Sequence, residues 1–576
     1  MEEIDMVVIG AGLSGLAVAK AFHQLNSDKS LVILEAASSL GGTWAKDRLY
    51  PGLKSNNMIG TYEYPDFPMD PETFGVKPGE HIPGAVLHDY LTKYAEKFDI
   101  LQKIRYSHKV LTAEHRQGPE GGWILSTQDA SGTDSKVAAK KLVVATGLTS
   151  QPFLPKFNGQ EMFDVPLFHS KDFLTHAGTI ETAKSVTVFG GTKSSWDAVY
   201  EYATNGVHVD WVIRDTRLLT WFSPCVWGDA DGYVKTRRFL HGTPFGRFIV
   251  NTFWGILGND VITRNKYDSH PEMQKLKPWS QPMFVASGLS ILNYPTNFFD
   301  LVKDGKVTVH IADIDHLSSH TVHLSTGTSF RTDAFPLKFL PEGIEKDLGI
   351  PATTATTGHN PGINPVWNDE AVQTADDEIL SRFPRLKNQP VQNKNLTPLV
   401  DTPGITSPDP AGADIAASLA PYHLYRFMVP ATDRLLHSRD IAFAGMMMNI
   451  SVAPIAHLQS IWINAYFHDK LPAQVLPPKS EAKTDGGSSI GSKRLEDVRY
   501  ETVLHSRFGK WRYPAGNGAR FPDFVFDGVP YMDLLLRDLG LRVHRKSGWL
   551  AEITEPYGPE DYRDTVGEWA KLNDMS

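Results

Sequence analysis

Six residues near the N-terminus, Gly10-Ala11-Gly12-Leu13-Ser14-Gly15, constrain the fold more than any other stretch because of what flanks them. The apolar run from Ile4 to Ile9 predicts a buried strand before the turn, Leu13 to Leu25 has helical spacing after it, and Leu31 to Leu34 predicts a second strand. Together they make a βαβ unit. In such a unit Gly10 permits the tight turn, Gly12 lets the backbone approach a pyrophosphate, and Gly15 lets helix and strand pack closely, with the helix N-terminus facing the phosphates. Glu35 closes the second strand 20 residues after Gly15, where a carboxylate can accept from a ribose hydroxyl. GxGxxG alone is a weak signal. Strand, helix and acid around it predict a dinucleotide site that also takes in Leu13 and Ser14.

A chain of 576 residues, 41% of them hydrophobic, has material for two or more packed domains. The strand signal returns at Lys141 to Ala145 and at Ser185 to Phe189, the second time followed by another glycine turn and a helix-like run, Ser194 to Ala203. A second nucleotide unit is therefore expected. Asp440 to Gly445 reads as a strand and Pro454 to Phe467 as a helix. Segments rich in Pro and small residues, Thr397 to Ser418 and Pro477 to Lys493, read as loops or linkers. The tail after Lys493 holds Trp511, Phe524, Leu534 to Leu536 and Trp549, enough apolar surface to fold onto the body.

The balance of 57 Lys+Arg against 66 Asp+Glu, a net charge of −9 with no long basic run, argues against a nucleic-acid surface and for small-molecule chemistry. One cysteine, Cys225, excludes an intrachain disulfide or a Cys-pair redox centre and suits a reducing compartment, so an intracellular, cytoplasmic location is expected. No secretory signal is read at Met1 to Asp5. The most lipophilic window, Phe248 to Leu257, falls short of the ~20 apolar residues that span a bilayer and reads as a buried or interfacial helix, with peripheral membrane contact left open. His316, His320 and His323 alternate like strand residues, so no metal site is expected there. Arg507, Lys510 and Arg512 read as a solvated or acid-paired face.

Gly41-Gly42-Thr43-Trp44 follows Glu35, then LYPGLKSNNMIGTYEYPDFP and HDYLTKYAEKFDILQKI, and later Val143-Val144-Ala145-Thr146-Gly147. In this order the segments resemble flavin-containing monooxygenases, within the class that also holds the Baeyer-Villiger enzymes, and the tail is similar to that of fungal members from secondary metabolism. The resemblance spans roughly residues 4 to 220 and 440 to 475. It implies an α/β fold of two Rossmann-like dinucleotide-binding domains, one for FAD and one for NADPH, with a helical insert and a C-terminal extension. The expected boundaries are 1–155 and 335–475 for the two parts of the FAD domain, 156–334 for the NADPH domain with an insert at about 221–300, and 476–576 for linker and extension. By the same resemblance Gly42, Thr43 and Trp44 lie beside the FAD phosphates, Val110 contacts the adenine through its backbone, Gly147 belongs to the crossover between domains, and Gln459 contacts the flavin ring or a pocket-facing group. Asn56 is the residue expected to donate to the oxygenated flavin or NADP⁺, whereas Asn57 reads as a turn residue.

The second glycine turn, Gly190-Gly191-Thr192-Lys193-Ser194-Ser195, departs from the family pattern because Thr192 and Ser195 replace the later glycines. Hydroxyls still donate to phosphate and Lys193 adds charge, so Gly190, Lys193, Ser194 and Ser195 are expected at an anion site. Arg214, at the end of the next strand, could pair with a 2′-phosphate, which favours NADPH. His169 sits in a run similar to the family's linking fingerprint and reads as structural support. The implied activity is insertion of one O₂-derived oxygen into a small organic substrate through a C4a-(hydro)peroxyflavin. Baeyer-Villiger chemistry is the alternative, but that subgroup usually has Asp at position 56 and Trp at the fingerprint's end, where this chain has Asn56 and Phe173. A flavin-binding protein without oxygenase activity is the second alternative, because after Ala334 the family's second ATG-like crossover is not found.

Overall fold

The computed structural model describes residues 1–116, 121–148, 154, 157–190, 193–212, 223–278, 280–285, 292–337, 369–390, 424–479, 490–515, 518 and 522–575. Two parallel sheets organise it. In the first, Glu2–Ile9 lies between Leu31–Leu34 and Asp134–Val144, both parallel to it, with Met6 opposite Leu31 and Val8 opposite Val143. Beyond Leu31–Leu34 lies Ile104–Arg105. On the other side an antiparallel pair, Trp123–Gln128 and Lys109–His115, extends the sheet, and Ile441–Phe443 returns from far down the chain to pair with Asp134–Val144. Val7, Val8, Val143 and Val144 are wholly buried, as continuous apolar runs in a parallel sheet must be.

The helix Leu13–Leu25 starts and ends where its spacing predicts, and Val452–Phe467, which packs along it, is buried over nearly its whole length. A helix with almost no exposed face lies inside a core, here between Leu13–Leu25 and the helices of the extension, with its polar His457, Gln459 and Asn464 paired internally.

The second sheet has the order Val307–His310, His208–Val212, Ser185–Phe189, Phe335–Leu337, Leu167–His169, all parallel. Phe335–Leu337, just past the boundary expected at 334/335, is a strand of this sheet, with Phe335 buried against Phe157 and Phe163. The absent crossover after Ala334 lies outside the described residues beyond that point. Ile314–Ser318 and Thr321–Leu324 are antiparallel strands with His316 stacked on His323 at 4.0 Å, and both ring nitrogens of His323 are engaged by Ser318 and Ser329.

The C-terminal extension is integral to the body. Ile490–Arg512 and Gly528–Asp538 are helices, so the last residues assigned to the linker already begin the first of them. Leu534, Leu535, Leu536 and Phe524 are buried as expected, whereas Trp549 is 76% exposed and does not join the core. Arg512 also differs from its reading. Arg507 is paired with Asp376, but Arg512 turns inward, wholly buried against Trp254 and Tyr513, with its Nε donating to Ser223. Among the described residues no helix is long and apolar enough to cross a membrane. The lipophilic window lies in the helix Pro244–Arg264, which buries Val250 and Trp254 and exposes Phe245, Phe248 and Ile256.

Candidate active site

The first glycine turn is held by backbone contacts that leave no room for a side chain at Gly10 or Gly15. A Cβ on Gly15 would collide with the Gly10 carbonyl oxygen, so helix and turn can approach this closely only with glycine there. Gly41 N–H donates to Ala11 O at 2.9 Å, which seats the short helical turn Gly42–Trp44 against Gly12. Glu35 stands at the end of its strand, its carboxylate accepting from the N–H groups of Ala11 (2.7 Å) and Ala37 (2.8 Å). Each carboxylate oxygen has further acceptor capacity, so Glu35 both rigidifies the turn and can take a ribose hydroxyl. Gly12, Leu13 and Ser14 are half-buried, and Thr43 is exposed while Trp44 is buried against Tyr62. A glycine turn of this kind at a helix N-terminus fits the pyrophosphate of a dinucleotide.

The segment after Ile441–Phe443 closes over this turn. Gly445 has φ +72°, and a Cβ on it would strike the Ser14 hydroxyl. Its N–H donates to Gln459 Oε1 at 3.1 Å, and Gln459 Nε2 donates to the Tyr531 hydroxyl at 3.0 Å, which donates to Arg426 O at 2.6 Å. Gln459 thus has both amide ends engaged within the protein, where it sets the Gly445 turn instead of presenting the free amide that its sequence reading expected. Gly445→Ala is expected to cost about 1–3 kcal/mol from the left-handed backbone alone. A lowered thermal midpoint together with loss of retained flavin checks it; a variant that keeps both shows that Ser14 and Gly445 can move apart freely.

Asn56 lies in the strand Lys54–Met58, half-buried, with Oδ1 buried and lacking any hydrogen-bond partner. Ser55 and Asn57 fix it from both sides. Ser55 O accepts from Asn293 Nδ2 (2.8 Å) and faces His81 Nδ1 (3.1 Å), while Asn57 Nδ2 donates to Ile450 O (2.9 Å). Asn57 also reaches Thr61 Oγ1 at 3.4 Å, so it serves the following turn although it stands in a strand. The bond to Ile450 joins this strand to the segment that leaves Gly445, hence to the first glycine turn. A buried polar atom with no partner among the described residues can take a ligand partner, and Asn449 Oδ1, beside Ile450, is a second such atom in the same wall.

The second turn shows a different state. Gly190 O accepts from Trp211 Nε1 at 3.0 Å, and the helix Lys193–Thr204 follows. Lys193 Nζ is paired with Asp197, one turn on, a carboxylate 1% exposed that also accepts from the hydroxyls of Tyr50 and Tyr294, each at 2.8 Å. Burial, then the Asp197 charge, holds the Tyr50 phenol well above its ordinary range, so it stays a donor, and Ser194 bonds to the same hydroxyl. Burial and Asp197 likewise push the Glu201 carboxyl up. Ser195 is buried with an unpartnered hydroxyl. Arg214 lies outside the described residues, as do Gly191 and Thr192. Gly147 has φ +69° three residues past the strand Asp134–Val144, and Val110 packs at the edge of the first sheet opposite Thr127. His169 is buried in the second sheet with Nδ1 accepting from Lys171 N–H at 3.0 Å.

Sequence reasoning missed Tyr50, Asp197, Asn293 and Tyr294. Asp197 has a local signal, being four residues after Lys193 on a helix. Asn293 and Tyr294 have none, since nothing near them in sequence shows that their loop returns to residue 55.

Residues 4–266 match the model of a family described as flavin-binding monooxygenase-like. The chain is 30% identical over 613 residues to FAD-dependent monooxygenase rstn6 of Aspergillus nomiae, covering 98% of each. It is 29% identical over 611 residues to FAD-dependent monooxygenase resA of Aspergillus sclerotiorum, again covering 98% of each. Its fold is shared with the open structure of cyclohexanone monooxygenase, at a TM-score of 0.55 and 13% identity over 100% of this chain and 99% of that one. Full-length likeness to the fungal enzymes and the fit of a two-Rossmann fold around both glycine turns agree with one assignment: the chain belongs to the flavin-binding, FAD-dependent monooxygenases.

Proposed function

We propose that this enzyme uses FAD and NADPH to place one oxygen atom of O₂ on a small organic substrate, within specialised metabolism and inside the cell. The observation that carries the site assignment is Asn56, whose orphaned amide stands in a strand tied to the segment over the first glycine turn. When bound, reduced flavin activates O₂ and transfers one oxygen atom. The FAD domain is formed by 1–155 with the returning strand Ile441–Phe443, and the NADPH domain is built around the sheet that ends at Leu337. Gly10, Gly12, Leu13, Ser14 and Gly15 hold the FAD pyrophosphate, Glu35 its ribose, Gly42 to Trp44 the adjoining phosphates, and Val110 and Gly147 the adenine side and the crossover.

Gly190, Lys193, Ser194 and Ser195 form the phosphate site of NADPH, with Arg214 on its 2′-phosphate. Asn56 holds a hydrogen bond to the reacting centre or to the nicotinamide amide. A half-turn of its amide exchanges donor for acceptor, so one side chain serves either partner. Resemblance to fungal enzymes supports a role in secondary metabolism, and the lone, buried Cys225 suits a reducing compartment. NADPH should bleach the visible band of bound flavin under anaerobic conditions, and air should restore it with one oxygen gained by substrate. Protein that takes up FAD yet is not bleached by NADPH would overturn the enzymatic reading.

A further inference from the structure

Three separate parts of the chain meet on one buried carboxylate. Asp197, on the helix that opens the second nucleotide site, accepts from Tyr50 of the loop preceding Asn56, from Tyr294 near the end of the insert, and from Lys193 of its own helix. Tyr294 is stacked on Tyr200 at 4.2 Å, with Lys193 Nζ 5.2 Å from its ring centroid. The same helix receives the next part of the loop: a Cβ on Gly52 would collide with the Glu201 carboxylate. Asn293, beside Tyr294, donates to Ser55 O, the carbonyl directly before Asn56.

We infer that Asp197 is a competing acceptor for Lys193, and that its release by a dinucleotide phosphate is how occupancy of the second site is passed to the strand carrying Asn56. This rests on the NADPH reading above. Lys193 is the only one of the three donors that carries a charge. A phosphate at the helix N-terminus adds its own charge to the helix's field, so it can draw the ammonium away, whereas the neutral phenols stay on the carboxylate. With its cation gone, a buried carboxylate depends more on its two remaining donors. Tyr50 and Tyr294 are then gripped more firmly, and through Gly52 and Asn293 so are both flanks of Asn56. By linkage, whatever strengthens the hold of Asp197 on Lys193 weakens dinucleotide binding, and the reverse.

Two substitutions separate this role from simple structural support because they act with opposite sign. Asp197→Asn removes the charge that retains Lys193 and should lower the dissociation constant for NADP⁺ about fivefold. Tyr294→Phe keeps the stack on Tyr200 but takes one donor from the carboxylate, which then holds Lys193 harder, and should raise that constant by about the same factor. Both constants are read by equilibrium titration of NADP⁺ into the FAD-loaded protein, without turnover. Changes in the same direction, or none, overturn the inference, and a misfolded Asp197→Asn protein leaves the rise with Tyr294→Phe to decide it, absence of that rise counting against it. Wild-type protein that binds no NADP⁺ refutes the NADPH reading itself, whereas normal wild-type binding with both variants unchanged refutes only the role of Asp197.

Discussion

Asn56→Ala is expected to leave NADPH oxidation running while product formation falls about a hundredfold, the loss found when one fixed hydrogen-bonding group is removed from a dry, preorganised site. The structure isolates the effect to the amide. Ser55 holds the strand through its carbonyl and through a hydroxyl that accepts from Ile82 N–H at 3.1 Å, and Asn57 anchors the other side on Ile450, so removing the Asn56 side chain breaks no bond among the described residues. In the proposed function, hydride delivery rests on the second glycine turn, which Asn56 does not build. Oxygen consumed should therefore appear as peroxide. Asn56→Asp, a similar shape that is acceptor-only when ionised, should be impaired as well and should not yield lactone from a ketone simply by matching the Baeyer-Villiger residue. Product per NADPH oxidised, measured with each variant, settles the point: unchanged coupling removes Asn56 from the reaction.

The second large effect concerns how the C-terminal extension is attached. Asp538 is 2% exposed and takes Arg426 Nε at 2.7 Å and Trp462 Nε1 at 3.1 Å; Arg426 in turn donates to Glu501 at 2.6 Å. These contacts join the helices Gly528–Asp538 and Ile490–Arg512 to the helix Val452–Phe467, whose Gln459 sets the Gly445 turn. Asp538→Ala leaves a buried guanidinium without its main partner and is expected to cost about 3–5 kcal/mol. The double change Arg426→Met with Asp538→Leu should recover part of that loss, since removing both charges removes the burial cost too. Denaturant midpoints give the energies, and early proteolytic release of the extension gives the location. A single variant as stable as wild type would show that the extension is held by apolar packing alone.

The same network predicts a response to acid. Burial raises the Glu501 carboxyl, but Arg426, His505 and Arg494 more than offset it and lower its pKa from 4.5 to about 2. A carboxyl lowered in the folded state contributes stability that is complete above its unfolded value and is lost as protons bind. The attachment should therefore weaken as pH falls from about 4.5 towards 2, and Glu501→Gln should flatten the pH dependence in that interval.

The sequence by itself determined the parts that are local in cause. The turn from Gly10 to Gly15, the helix Leu13–Leu25 and the strand Leu31–Leu34 stand where periodicity and glycine placement put them, because each depends on neighbours within a few residues. The second nucleotide unit was legible for the same reason, from its strand, glycine turn and helix-like run, and family resemblance added the class of chemistry through short, contiguous motifs. Only the tertiary structure decided where polar side chains find partners. Lys193 looks from its sequence like a phosphate ligand and is held by Asp197; Gln459 looks available and is enclosed between Gly445 and Tyr531; Arg512, one of three clustered cations, is buried among aromatic rings. Gln459 meets Tyr531 and Arg512 meets Trp254 from distant segments, and Asp197, although one helical turn from Lys193, is itself fixed by the remote Tyr50 and Tyr294. A buried hydrogen bond is set by which donor reaches which acceptor in three dimensions, and neither periodicity nor spacing encodes that pairing. Asn56 needed both: its place after the glycine turn drew attention to it, and its buried Oδ1, with no partner among the described residues, marked what its surroundings leave undone.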